Sequence, residues 1–185
     1  MLFEVGMLSK TPRSGYQFLG SGKESVAEHI LRTVFVGYVL CKMNPSLDEL
    51  GVLRMCILHD LPEARTGDMN YVNKKYVDVN EAKAVRELTD GLFFGEEVRK
   101  AIDEFNARES RESQIVRDAD QLALILQLKE AGDLGNKYSD EWIQYALQRL
   151  STEEGKKLAD RIIQTDSSHW WFKDKSDWWI NGSNR

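Results

Sequence analysis

Helix-start signals recur ahead of apolar stretches of helical period along this chain, while the alternation expected of half-buried strands is almost absent. That pattern predicts an all-α fold of about six or more helices. Ser25 with Glu28 forms a capping box, in which a serine oxygen and a glutamate carboxyl take up free N–H groups of the first turn. Val26, Ile30, Val34 and Phe35 follow at helical spacing, so a helix should run to about Met43. Pro45 marks its end. Ser46 with Glu49 repeats the box and opens a helix through Leu50, Leu53, Ile57 and His59, which Pro62 should end or kink. Residues 66–78 have no clear period and are expected to form a loop, a candidate lid. Further helices are expected at about 80–92, 95–108, 111–132, 140–150 and 152–167, the last opened by Ser151 and Glu154.

With 185 residues and no internal repeat or linker, the chain suits one domain, and a 42% apolar content can build its core without disulfides or structural zinc. We expect residues 1–168 to form the body, and residues 169–185 to be a tryptophan-rich segment of the same domain or a subunit interface. That segment holds Trp170, Trp171, Trp178 and Trp179 beside His169, and its rings are expected to pack on the helical body or a second subunit. Cys41 and Cys56 lie in apolar stretches outside any metal or disulfide spacing, so both are expected to be buried thiols in a reducing compartment. The absence of long apolar runs, and Glu4 near the N-terminus, predict a soluble, cytoplasmic protein with no membrane association.

Lys plus Arg number 25 against 30 Asp plus Glu, a net charge of −5 that argues against charge-driven binding to nucleic-acid polymers. A small anion needs only local positive charge. Between Val5 and Lys23 the charges are Lys10, Arg13 and Lys23, and Gly15, Gly20 and Gly22 would let backbone N–H groups approach a ligand.

Two of only three histidines sit beside carboxylates on expected helices: His29 after Glu28, and His59 before Asp60. His59 shares a helix face with Val52, Met55 and Cys56, so it should point inward, with Glu63 one turn on. A core histidine is ordinarily just hydrogen-bonded. Two imidazoles and two carboxylates together can hold one divalent ion, with positions open for water and substrate oxygen. Such a set suits manganese, cobalt, iron or nickel, with magnesium and zinc as alternatives. A further acid would come from IVRDADQLALIL, where Asp118 and Asp120 each lie near one edge of the apolar face and spacing does not choose between them.

The ordered set of ESVAEH around His29, ILHDLPEARTGD with His59 and Asp60, and VRDADQ with Asp120 resembles the HD-domain metal-dependent phosphohydrolases. More narrowly it resembles their 5′-deoxynucleotidase branch, over residues 10 to about 130. The resemblance implies an HD-domain helical bundle, a divalent metal held by His29, His59, Asp60 and Asp120, and removal of the 5′-phosphate from (deoxy)ribonucleoside monophosphates. It leaves Asp118 as a surface residue. It assigns Glu63 to the attacking water and Asp68 to substrate or sugar contact. PRSGY resembles the segment carrying an arginine and usually a tryptophan in these relatives, so Arg13 would bind phosphate and act in catalysis, and Tyr16 would flank the sugar or base. Lys23 is expected to assist Arg13. Tyr16 in place of tryptophan, and Leu19 where many relatives have a second arginine, weaken the expected selectivity for deoxyribose. The resemblance also implies a homodimer. Its alternatives are an HD hydrolase of triphosphates or cyclic phosphodiesters, or a guanosine tetraphosphate hydrolase, which Ala64 after Glu63 disfavours. A non-catalytic nucleotide-binding helical module is the rival from another class.

Overall fold

The computed structural model describes residues 1–172 and residue 182. Among the described residues there is no strand, only an isolated antiparallel bridge between Pro12 and Ser25, and the fold is all-α as the capping signals predict. The helices are α1 (Leu2–Leu8), α2 (Tyr16–Leu19), α3 (Val26–Met43), α4 (Glu49–Leu58), α5 (Glu63–Thr66), α6 (Glu81–Thr89), α7 (Gly95–Ala107), α8 (Arg111–Asp133), α9 (Ser139–Leu147), α10 (Glu153–Ile163) and α11 (His169–Phe172). No described helix is long and apolar enough to cross a membrane.

α8 is the hub. It packs against α3, α4, α7, α9 and α10, and Ile115, Val116, Ala119, Leu122, Ala123, Ile125 and Leu128 are all buried around its circumference. A helix enclosed on several sides has no single apolar stripe, which is why periodicity could not orient its two aspartates. The structure does orient them. Asp118 is buried, which corrects the expectation that it lies on the surface. Its carboxylate accepts from the backbone N–H and hydroxyl of Ser151, at 2.9 and 3.3 Å, and from those of Thr152, at 2.8 and 2.6 Å. Asp118 thus braces the start of α10 from within the core. Glycine is required opposite it, because a Cβ at Gly155 would come within 2.3 Å of Asp118 Oδ2.

The capping box at Ser25 and Glu28 is complete. The one expected at Ser46 is not formed: Asn44 Oδ1 captures both the Ser46 N–H and hydroxyl, so α4 starts at Glu49 without a side-chain cap. α10 is capped by Thr152 rather than Ser151: the Thr152 hydroxyl donates to Asp118 and accepts the Gly155 N–H at 3.0 Å. α1 and α2, of seven and four residues and without side-chain caps, were not expected from the sequence. α1 is tied to α5 by Arg65, whose Nε lies 2.8 Å from the Glu4 carboxylate. Residues 67–80 are mainly loop, with one 3₁₀ turn at Asn73–Lys75, and are anchored by buried Asn70, whose side chain accepts from the N–H groups of Val72 and Asn73.

Both cysteines are buried and unpaired. In the terminal segment Trp170 is exposed and so does not pack on the body, while Trp171 lies 5.2 Å from the Phe172 ring. Trp178 and Trp179 fall outside the described residues. The brace at Asp118 generates a test. Asp118→Ala strands two backbone N–H groups and two hydroxyls in the interior and should lower the unfolding free energy by about 3 kcal/mol in urea titrations. A loss of under about 0.5 kcal/mol would contradict the bracing role.

Candidate metal centre and cleft

Four side chains converge where α3, the end of α4 and the middle of α8 meet. His29 is set on the first turn of α3 by the Ser25 and Glu28 capping box, and is fully buried. His59 is the C-cap of α4, and its Nδ1 lies 2.9 Å from the Cys56 carbonyl. With Nδ1 donating there, Nε2 is left as the free base, the arrangement that suits a metal-ligating imidazole. The His59 ring also packs 5.0 Å from Phe105.

His29 Nε2 stands 2.9 Å from Asp120 Oδ1 and 3.7 Å from Asp60 Oδ2, and His59 Nε2 stands 3.3 Å from Asp60 Oδ2. One ligand atom from each of His29, His59 and Asp120 falls within 4.8 Å of the others. His59 Nε2 and Asp60 Oδ2 are buried without a hydrogen-bond partner. Two carboxylates and two imidazoles around orphaned inward atoms fit a divalent cation of mixed nitrogen and oxygen preference. Gln121 steadies Asp120 from outside, donating to its Oδ2 at 3.0 Å, and Arg149 in turn donates to Gln121 at 3.2 Å.

Charge coupling runs through the cluster. Burial opposes ionisation of Asp60, yet His59, His29 and Arg13 overcome it and hold the carboxyl down at about 2. Asp120 is likewise lowered, against burial, by His29 and then His59 and Arg13. His59 is raised to about 9 because Asp60 outweighs the penalty of burying a cation. Glu63 behaves oppositely: burial, then Asp60 and Asp68, push it up to about 9, and its Oε2 has no hydrogen-bond partner. It is the carboxyl of this site suited to hold and release a proton.

Arg13 reaches over the cluster, with Nη1 3.5 Å from both Asp60 Oδ2 and Asp68 Oδ1. Its own loop is pinned to the turn after α5, because Ser14 donates its N–H and hydroxyl to Asp68 Oδ2 at 2.6 and 2.9 Å. Asp68 therefore positions the arginine loop. Tyr16, on α2, lines the same cleft. Its ring packs against Gly22, where φ is +80° and an added Cβ would come within 2.9 Å of the ring. Gly20 ends α2 in the left-handed region, so Gly20 and Gly22 shape a turn, and only Gly15 of the three glycines lines the cleft.

Lys23 is not brought to the site. It is exposed on a separate depression beside Glu28, and the lysine that lines the cleft is Lys74. Three cleft groups were missed from the sequence: buried Glu24, Gln127, and Trp142, which packs with Leu19, Leu128 and Ile143. Gln127 was findable in principle, lying seven residues after Asp120 on the same helical face.

Comparison with known proteins follows the same lines. Residues 5–162 match the family model of the HD domain. A 5′-deoxynucleotidase HDDC2 of Mus musculus is 30% identical over 141 residues, which cover 72% of this chain and 69% of that protein. Among solved structures, a conserved hypothetical protein from Pyrococcus furiosus superposes with a TM-score of 0.77 at 28% identity, over 89% of this chain and 98% of its own. The PH0347 protein from Pyrococcus horikoshii OT3 gives 0.72 at 29%, over 88% and 96%.

The raised Glu63 carboxyl predicts a pH dependence for the metal-free protein. A folded pKa of about 9 against an ordinary value of 4.5 means that the folded state keeps a proton the unfolded chain releases. That stabilisation is complete below the ordinary value and is lost as pH climbs through about 9. His59, raised from 6.5 to about 9, adds a loss of the same sign over its own window. In EDTA, wild type should therefore lose more stability between pH 5 and pH 9 than Glu63→Gln, as read by chemical denaturation. Equal losses would contradict the assignment.

Proposed function

The chain belongs to the HD-domain family and is a hydrolase, and from that premise we propose that it removes the 5′-phosphate from nucleoside monophosphates. The observation that carries this reading is the convergence of His29, His59, Asp60 and Asp120 beside Arg13, where Arg13, Asp60 and Asp120 line a cleft together with Tyr16, Leu124, Leu128 and Trp142. The name of the mouse relative supports a deoxynucleotide substrate.

In this reading the four side chains would hold one divalent ion, which would supply Lewis acidity toward the phosphate and lower the pKa of a nearby water. Manganese, cobalt, iron or nickel suit the ligand set, with magnesium and zinc as alternatives. Arg13 receives the phosphate. Its planar guanidinium offers two parallel N–H donors to the equatorial oxygens, and the surrounding carboxylates keep it charged. Positive charge bound at the cluster would offset the Asp60 and Asp68 repulsion that, together with burial, raises the Glu63 carboxyl. Glu63 is then free to take the proton from attacking water at its unpartnered Oε2. Water adds to phosphorus as the bond to the 5′-oxygen breaks, and that oxygen takes a proton from solvent and leaves as the nucleoside hydroxyl, while Glu63 returns the proton it took to solvent. Tyr16, which lines the cleft, flanks the sugar or base. Lys23 has no part in this scheme.

A second reading has its own observation. On the other side of His59 and Asp60 a further depression is lined by Arg108 and Arg117, cations suited to additional phosphates of a longer nucleotide. A homodimer is supported by the exposed apolar row Leu31, Phe35 and Tyr38 along α3.

The discriminating experiment is phosphate release from mono-, di-, tri- and cyclic nucleotides with manganese, cobalt, magnesium or EDTA. Metal-dependent release from monophosphates is expected, and release confined to triphosphates would overturn the reading in favour of the second. Glu63→Gln should lower kcat by about 10²-fold or more while manganese affinity, read by calorimetry, changes little. Full turnover in that variant would remove Glu63 from its role.

A further inference from the structure

The inner end of the cleft carries a polar feature that phosphate chemistry does not use. Gln127 lines the cleft, and its Oε1 is buried without a hydrogen-bond partner. Its amide N–H interacts with the carboxyl of buried Glu24, which lies just before α3, and that leaves the amide oxygen as the atom without a partner. A buried acceptor without a donor is costly unless a ligand supplies one. The surroundings are apolar and aromatic: Leu124, Leu128, Trp142 and Tyr16.

α8 also sets a distance. Asp120, Leu124 and Gln127 follow one another along one face, and seven residues at a rise of about 1.5 Å place Gln127 roughly 10 Å beyond Asp120 along the axis. A nucleoside monophosphate has a comparable span from its phosphate to the far edge of its base. With phosphate at Arg13, the base would lie between Tyr16, Leu124 and Trp142 with its edge against Gln127.

Resting on the nucleotidase reading above, we propose that Gln127, oriented by Glu24, reads the edge of the nucleobase and selects bases that present an amino group there. Cytosine offers its 4-amino group to Gln127 Oε1. Uracil and thymine place a carbonyl oxygen at that position, so two acceptors face each other without a proton between them. Gln127 is the specificity determinant, and Glu24 is a positioning residue that keeps the amide from turning over.

The test compares kcat/KM for dCMP and dUMP, which differ at that position by one amino group, with base-free 2-deoxyribose 5-phosphate as a third substrate. Wild type should favour dCMP over dUMP by about tenfold or more, the scale of one hydrogen bond plus an opposed acceptor pair. Gln127→Leu should bring the ratio close to one. Glu24→Gln should lower it as well, because a freed amide can present either end. Circular dichroism melting of each variant checks that it folds. Equal efficiency on dCMP and dUMP in wild type would overturn this inference while leaving the nucleotidase reading intact. Absence of metal-dependent release from all three substrates would overturn both. An unchanged ratio in folded Gln127→Leu would also overturn it.

Discussion

Everything in this molecule is arranged around one electrostatic constraint: two carboxylates and two imidazoles brought within a few ångströms of each other in the interior. Unpaired charges in such surroundings carry a desolvation penalty of several kcal/mol each, so the group is tolerable only with positive charge among them. Part of that charge comes from Arg13, which stands among Asp60, Asp68, Asp120 and Glu63 and is buffered against loss of its proton by all four. The remainder fits a divalent cation. Glu63 is raised by burial and then by Asp60 and Asp68, whereas Asp60 is held down by His59, His29 and Arg13.

Holding that cluster requires a rigid scaffold, and α8 provides it through two aspartates with opposite tasks. Asp120 faces the cleft and His29, whereas Asp118 faces away and fastens Ser151 and Thr152 at the start of α10. The second fastening is between the arginine loop and the turn after α5, where Ser14 holds Asp68. Arg13 is thereby located relative to His59 and Asp60 by contacts that do not depend on bound phosphate.

How far the sequence could be read follows from which interactions are local. The start of α3 was legible because a capping box lies within four residues and is complete in the structure. His29, His59, Asp60 and Asp120 were legible as a set because scarce histidines beside acids on helices leave few groupings, and the ordered motif supplied the choice of Asp120. Asp118 was misplaced because its partners lie 33 and 34 residues away, beyond what spacing can reveal. Lys23 was misplaced because its loop turns at Gly20 and Gly22, sending it to the outer face while Lys74 comes in from elsewhere. Glu24 carried no signal of its own, and Gln127 carried only its helical spacing from Asp120, since each becomes notable where α8 and the segment before α3 meet.

The central claim is that His29, His59, Asp60 and Asp120 form a cation site beneath Arg13. Anomalous scattering from crystals grown with manganese and a slowly hydrolysed deoxynucleotide analogue tests it most directly. The account predicts one manganese peak at about 2.0–2.3 Å from His29, His59, Asp60 and Asp120, with the phosphate between it and Arg13. A peak elsewhere, or none in crystals that hold the analogue in the cleft, would contradict it.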